Sequence, residues 1–201
     1  CAINVSKLGL KGAVLGMIGD DGFGRFMASE LEAMGVATEG LSVTKEKGTS
    51  ASLVLVSPDG ERSFIHCTGA NGIFREKDAN YDVVAQTNIV FVTGGLLLPS
   101  FDGEDCALFL KKCKEMGKTT AYDVCWDSTG RWMELVGPSM PYIDYFMPSY
   151  EEAVPLSGGL TEYGEIADKF LTMGPKVVVL KIGKKGCYIK TKEGIEMQVP
   201  T

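Results

Sequence analysis

The feature that most constrains the fold is a repeated alternation of short apolar runs with longer amphipathic segments. The segments place apolar side chains at helical spacing, as in GEDCALFLKKCKEMG (103–117). Apolar strands that alternate with such helices are typical of βαβ units, in which helices cover both faces of a mainly parallel sheet. The predicted strands in this part of the chain are NIVFVTGG (88–95), KTTAYDV (118–124), IDYFMPS (143–149) and KVVVLKIG (176–183).

The first third of the chain begins in the same way and then changes in character. AVLGMIG (13–19) predicts a buried strand, and the next segment (23–35) predicts a helix. Two short β-rich runs, 50–57 and 62–67, are joined by PDGE, whose residues favour a turn. The stretch at roughly 38–67 therefore predicts a small antiparallel insertion. The apolar face of the predicted helix consists of Phe23, Phe26, Met27, Leu31 and Met34.

The glycine-rich stretch GMIGDDGFG (16–24) separates this first strand from its helix. A dinucleotide-binding loop requires G-x-G-x-x-G, and a P-loop requires G-x-x-x-x-G-K followed by Ser or Thr. The stretch has neither spacing. We interpret it as a strand-to-helix turn, in which glycines supply unusual backbone angles and an aspartate caps the helix.

Composition excludes several classes of function. The 201 residues carry a formal net charge of −6, which argues against binding to nucleic acid or to an anionic membrane surface. No apolar run approaches the roughly 18 residues that would span a bilayer. The six scattered cysteines predict reduced thiols and a cytoplasmic location. With one histidine and no ligand pair at metal spacing, we expect no zinc site.

An ordered set of motifs identifies a resemblance. The chain resembles the ribokinase-like (PfkB) family of carbohydrate kinases over nearly its whole length. The order of the motifs along the chain, more than any one motif, is characteristic of the family. The motifs are CAINVSKLG followed by nine residues and Gly19, GTSASLVLVSPDGERSF (48–64), GAN (69–71), VTGG (92–95), YDVCWD (122–127), MPSYEEA (147–153) and VVVLKIGKKGC (177–187).

The resemblance implies a fold and an activity. The implied fold is α/β, with a doubly wound, mainly parallel sheet over residues 1–201 and an antiparallel β lid at about 38–67. The implied activity is an ATP- and Mg²⁺-dependent sugar kinase that works as a homodimer through its lid. A nucleoside kinase of the same family is one alternative. A non-catalytic α/β ligand-binding protein that keeps the fold is another.

The same register implies that the chain is a partial domain. The family's N-terminal signature places its substrate-binding asparagine one position before Cys1, so Asn4 is expected to be a surface residue of a helix. At the other end, the family's G-A-G-D loop provides the anion hole and the aspartate base. It is expected beyond Thr201, so we expect no catalytic residue within these residues and no activity from them alone.

The implied nucleotide site uses residues from two motifs. By resemblance, Glu152 acts on Mg²⁺ through water, and Ser149 stands where the family usually has asparagine. Lys181, Gly183 and Gly186 would line the nucleotide. From the residues alone, the carboxylate could instead be a helix-start charge favoured by the helix dipole, and the glycines could simply form a turn.

The segment YDVCWDSTGRW (122–132) departs most from the family pattern. Asp123 is implied to lie near the phosphates, but Cys125 and Asp127 occupy the positions where the family often has asparagine and arginine. Arg131 could supply the missing charge. The alternative is an ordinary loop at a strand end, with an aspartate as a cap.

Three residues are implied to face the sugar. Thr49 and His66 belong to the predicted lid region, and Gly94 ends a predicted strand. A lone histidine is more often a structural residue than a ligand, and this alternative stays open for His66.

Overall fold

The computed structural model describes residues 1–201, which form two compact units. The N-terminal unit comprises Cys1–Val83 and Leu98–Ser100. The C-terminal unit comprises Val84–Leu97 and Phe101–Thr201. No helix is both long enough and apolar enough to cross a lipid bilayer.

The N-terminal unit is built on one βαβ segment. Helix α1 (Ala2–Lys7) precedes strand β1 (Gly12–Gly19), helix α2 (Gly22–Ala33) and strand β2 (Val36–Thr44). Strands β1 and β2 pair in parallel. As predicted, Asn4 lies exposed on α1.

Helix α2 confirms the predicted helix, but much of its apolar face is exposed to solvent. Phe23 and Phe26 are 70% and 63% exposed. The helix begins at Asp21, whose extended backbone and carboxylate form the N-cap, so the predicted strand-to-helix turn is correct. The helix ends before Gly35, whose φ of +73° turns the chain back towards β2.

The antiparallel insertion is shorter than the predicted 38–67. It is a hairpin of strands β3 (Ala51–Val56) and β4 (Arg62–Cys67), closed by the predicted turn. Residues 36–44 instead form β2, in parallel with β1. Their polar, glycine-containing sequence resembles that of the insertion, but the preceding helix returns the chain beside β1. We call β3 and β4 the lid hairpin.

The C-terminal unit is a six-stranded sheet in the order β10-β9-β8-β7-β6-β5. Strands β5 to β8 run in parallel, and β8, β9 and β10 are antiparallel neighbours. The strands are β5 (Ile89–Gly95), β6 (Thr119–Val124), β7 (Tyr145–Phe146), β8 (Val177–Lys181), β9 (Cys187–Thr191) and β10 (Glu196–Val199). The helices are α3 (Tyr81–Ala85), which starts in the N-terminal unit, α4 (Glu104–Glu115), α5 (Met133–Val136), α6 (Tyr150–Leu156) and α7 (Tyr163–Met173).

The core of this unit lies between the sheet and its helices. Phe146 of β7 and Phe170 of α7 are fully buried, and their rings meet edge to face with centroids 5.1 Å apart. All six cysteines are free thiols. Burial raises the pKa of Cys106 to about 12 and that of Cys113 to about 11, so these two thiols are packing groups.

A buried carboxylate joins several elements of the sheet. Asp144 accepts hydrogen bonds from Lys114 Nζ (2.6 Å) and from the Thr120 backbone N–H (2.9 Å), and it pairs with Lys176 Nζ at 3.0 Å. Burial opposes the charged form, but these bonds outweigh it and hold the pKa of Asp144 well below its usual range. The Asp144 carboxylate is therefore ionised in the folded protein at neutral pH.

Candidate functional site

The carboxyl ends of parallel strands β6 and β8 bring together two predicted site residues. Lys181 Nζ lies 2.6 Å from Asp123 Oδ1, although the two residues are 58 positions apart. Strand β7 lies between these strands in the sheet, so the ion pair spans its end. The side chains are 44% and 22% exposed, which leaves the ammonium accessible to a ligand. In α/β sheets, ligands bind at this edge.

The end of β7 contributes a reciprocal helix cap. The Ser149 hydroxyl accepts a hydrogen bond from the Glu152 backbone N–H (3.3 Å), and Glu152 Oε2 accepts one from the Ser149 N–H (2.8 Å). The backbone of Lys181 bonds to the carbonyl of Pro148 at 3.0 Å, which places this cap beside β8. Ser149, Glu152 and Lys181 are therefore neighbours.

The cap shows that both interpretations of Glu152 are compatible. One carboxylate oxygen completes the helix start, as the structural alternative requires. The other oxygen makes no hydrogen bond within the protein, and the side chain is only half-buried. Glu152 can therefore hold the helix and still present an acceptor to a hydrated cation.

The charged groups at this edge of the sheet shift the pKa of Cys125. Burial raises the pKa of its thiol, and the nearby carboxylates of Glu152 and Asp123 raise it further. Lys181 is the cation that offsets them. We refer to Asp123, Ser149, Glu152 and Lys181 as the strand-end cluster.

The strand-end cluster suits Mg²⁺ only through indirect binding, in which the ion keeps its waters. No group of three or more His, Cys, Asp or Glu side chains is close enough to enclose a metal ion. Mg²⁺ usually keeps several waters and is bound through one or two carboxylates together with substrate phosphates. The unbonded oxygen of Glu152 suits such indirect binding.

The two predicted glycines of the next turn have different environments. A Cβ on Gly183 would meet no atom within 4 Å, and its φ is +54°. A Cβ on Gly186 would lie 1.9 Å from the carbonyl oxygen of Val199. Gly186 is therefore explained by close packing against the chain itself, while Gly183 leaves open space beside its backbone. Lys184 and Lys185 are exposed, as expected for solvated side chains.

Arg131 does not join the strand-end cluster in this structure. Its guanidinium pairs with the exposed Glu134 on the surface. Asp127 is buried and accepts hydrogen bonds from Thr129 and from the Trp132 backbone, so it organises its own loop. The loop alternative accounts for these residues.

The three predicted sugar-facing residues are divided between the units. Thr49 and His66 belong to the N-terminal unit and Gly94 to the C-terminal unit. Thr49 is only 9% exposed, and its hydroxyl bonds to Asp21 and to the Gly19 backbone. His66 is exposed on the lid hairpin, with Nδ1 2.8 Å from the Ser52 hydroxyl. Their contact with a sugar stays a prediction.

Sequence reasoning missed two residues that shape these regions. An aspartate of the turn was expected to cap the helix; Asp21 is that cap, and it also binds Thr49. Asp102 accepts a hydrogen bond from the Leu96 backbone N–H (2.9 Å), and Leu96 has the unusual φ of +74°. A left-handed leucine has no local sequence signal, because only the surrounding fold imposes it.

Comparison with known proteins gives the family. The family described as "pfkB family carbohydrate kinase" matches residues 1–201. The chain belongs to this family. Its similarity to Fructokinase-2 of Solanum lycopersicum is 29% identity over 203 residues, which cover 96% of this chain and 61% of that protein. The chain thus spans about three fifths of the length of this relative.

Solved structures agree on the ribokinase-like fold of this pfkB family member. A ribokinase from Thermotoga maritima has a TM-score of 0.82 at 22% identity, and the match covers 100% of this chain and 63% of that one. An E. coli protein solved in complex with ATP and Mg²⁺ has a TM-score of 0.81 at 22% identity, over 99% of this chain and 65% of that one. The predicted fold class is confirmed.

Proposed function

We propose that the protein is a sugar kinase that transfers the γ-phosphoryl group of ATP to a sugar hydroxyl in the presence of Mg²⁺. The observation that carries the proposal is the strand-end cluster. It places one accessible ammonium and one carboxylate with an unbonded oxygen at the edge of the sheet where α/β proteins bind ligands. Family membership and the fructokinase relative support a sugar as the acceptor.

Four residues at this edge of the sheet have proposed parts in binding the nucleotide. The Lys181 ammonium, held in place by Asp123, would contact phosphate oxygens. Gly183, with open space beside its backbone, would let the nucleotide approach closely. Glu152 would orient waters of a bound Mg²⁺, which supplies positive charge against the phosphates during transfer. The general base is not assigned to any of these 201 residues.

The acceptor side is proposed from the N-terminal unit. His66 would face the sugar, and the backbone of Thr49 would border it. An open depression of about 350 Å³ lies at the base of the lid hairpin, lined in part by Gly48, Thr49 and Cys67. It offers space for a small acceptor within the N-terminal unit.

The proposed molecule is a cytoplasmic homodimer. Every residue of β3 and β4 is exposed, including Leu53, Leu55, Phe64 and Ile65. A two-stranded sheet is marginally stable alone, and apolar side chains on both its faces favour association. Six free thiols suit a reducing compartment.

The test is ADP release by the chain extended to the length of its relatives, with a panel of sugars and nucleosides. We expect sugar-dependent release that chelation of Mg²⁺ abolishes. Turnover with nucleosides and not sugars would change the acceptor class. Calorimetric binding of a sugar without turnover under any condition would contradict the kinase assignment. The 201 residues alone should show no sugar-dependent ADP release.

A further inference from the structure

The turn GMIGDDGFG makes more bonds than a helix cap requires. The Asp21 carboxylate accepts the Gly24 backbone N–H (2.8 Å), which is the cap itself. It also accepts the Thr49 backbone N–H at 2.7 Å and the Thr49 hydroxyl at 2.7 Å. The same hydroxyl accepts the Gly19 N–H at 2.9 Å. Asp21 and Thr49 thus form a closed set of bonds between the start of α2 and the segment that leads into the lid hairpin.

Two of the four glycines of this turn, Gly19 and Gly24, are explained by close approach of the protein's own chain, including Thr49. A Cβ on Gly24 would lie 2.3 Å from the Gly19 carbonyl oxygen and 2.8 Å from the Thr49 hydroxyl. A Cβ on Gly19 would lie 2.6 Å from the Thr49 backbone nitrogen. Such distances are too short for any side chain, so the glycines leave room for the protein's own chain.

The two ends of the lid hairpin are fastened to one another at the same place. The Ala70 N–H donates to the Gly48 carbonyl at 2.8 Å, and the Ser50 hydroxyl donates to the Cys67 carbonyl at 3.2 Å. A Cβ on Gly69 would lie 2.4 Å from the Gly48 carbonyl oxygen. We call residues 48–50 and 67–70 the lid stem. Asp21 binds Thr49 at the first end of the hairpin. Because the second end is bonded to the first, Asp21 holds both.

The lid hairpin has little other support in the N-terminal unit. All residues of β3 and β4 are exposed, so no buried side chain of these strands fixes their direction. The hydrogen bonds from Gly24 and Thr49 hold the pKa of Asp21 below its usual value, so the carboxylate is ionised at neutral pH. Hydrogen bonds to an ionised acceptor are the stronger kind.

We propose that Asp21 is a positioning residue for the lid: through Thr49 it fixes the lid stem against the start of helix α2. This role requires no contact between Asp21 and a substrate. Its effect on acceptor binding rests on the proposed function, because a lid held at one angle presents the same groups to each acceptor molecule. Its effect on the lid itself does not depend on any activity.

The experiment uses Asp21→Asn and Thr49→Val in the chain extended to the length of its relatives. Asp21→Asn replaces one of the two carboxylate oxygens with an amide donor. Because the Thr49 N–H and the Thr49 hydroxyl bond to different oxygens, one of these two bonds is lost in either orientation of the amide. Thr49→Val keeps the shape of the side chain and the helix cap but removes the hydroxyl, so it decides the question if Asp21→Asn fails to fold. Thr49→Ser keeps the hydroxyl and should restore wild-type hydrogen exchange. Asp20→Asn is the control, because Asp20 is exposed and its carboxylate bonds only to the exposed Arg25.

The first readout is hydrogen exchange measured by mass spectrometry. We expect exchange of the backbone amides at 50–68 to rise about tenfold in both test variants, as the loss of a charge-assisted hydrogen bond implies. Exchange in strands β5 to β8 should stay at wild-type rates. An unchanged lid, or an equal rise over the whole N-terminal unit, would overturn the proposal, since the second outcome describes general loss of stability.

The second readout compares the Michaelis constants for sugar and for ATP. We expect the sugar KM to rise about tenfold while the ATP KM stays within about twofold. Equal changes in both constants would overturn the positioning role in the reaction. If the wild-type protein shows no turnover, the proposed function fails, and the exchange data alone still decide the role of Asp21.

Discussion

At the scale of single residues, Glu152 illustrates how one side chain combines two roles. Its backbone and one carboxylate oxygen complete a reciprocal cap with Ser149, and its other oxygen stays unbonded. Glutamine can make the same cap, because the motif accepts either residue. A change from glutamate to glutamine therefore tests the charge with little effect on the helix.

We expect Glu152→Gln to lower kcat about 10²-fold, or about 3 kcal/mol of barrier, if its charge orients the waters of Mg²⁺ during transfer. The sugar KM should change little. Glu151→Gln is the matched control, because Glu151 is exposed and lies about 100° further around the helix. Steady-state kinetics of the chain extended to its relatives' length provide the measurement. Equal, small effects of both changes would refute the metal assignment.

The two glycines of the β8–β9 turn give a second prediction. Gly186→Ala should lower the free energy of unfolding by about 2 kcal/mol or more, because its Cβ would collide with the Val199 carbonyl oxygen at a φ of +89°. Gly183→Ala should cost about 1 kcal/mol through its backbone angle alone. Urea unfolding measures both. An ATP KM that rises in Gly183→Ala, with an unchanged sugar KM, would support nucleotide contact there; an unchanged ATP KM would count against it.

At the scale of secondary structure elements, Asp144 links helix α4 with the strands around it. Its partners Lys114, Thr120 and Lys176 lie on α4, on β6 and just before β8. Removing the buried Asp144 carboxylate leaves the Thr120 donors and both lysines without their charged acceptor. The group therefore matters more for stability than surface ion pairs do.

Asp144→Asn should lower the free energy of unfolding by about 2 kcal/mol at neutral pH, because the Thr120 and Lys114 donors lose a charged acceptor. Because folding lowers the pKa of Asp144, its contribution is complete above the unfolded value of about 4 and is lost as pH falls through the folded value. Urea titrations at pH 7, 5 and 3 should show the difference between wild type and variant shrinking only at the most acidic pH. Asp168→Asn, which alters an exposed partner of Lys190, should cost less than about 1 kcal/mol. A difference that stays constant to pH 3 would contradict this account.

At the scale of the whole molecule, the lid hairpin decides the expected assembly. We expect sedimentation at micromolar concentration to show a dimer of the extended chain. Phe64→Glu should shift it to monomer, because a charge would then lie beside the exposed Val54 on one apolar face of the lid hairpin. Leu108→Glu is the control, since Leu108 is an exposed apolar residue of α4 and not of the lid hairpin. A monomeric wild type, or a dimer unaffected by Phe64→Glu, would refute the lid interface.

The sequence by itself determined the features that depend on neighbouring residues. Strands and helices follow from the hydrophobic period, and an aspartate cap follows from the pair Asp20 and Asp21 between a strand and an apolar helix. The turn of the lid hairpin follows from PDGE. The order of short motifs was sufficient to indicate the family that comparison later showed. These signals are local, and each lies within a few residues.

Only the tertiary structure decided which distant groups meet. It paired Asp123 with Lys181, and it placed Val36–Thr44 beside β1 and not within the antiparallel insertion. It also separated Gly183, which is open, from Gly186, which packs on Val199. The physical reason is the same in each case. The environment of a side chain or of a missing Cβ is set by strands far away in the chain, whose register no local pattern encodes.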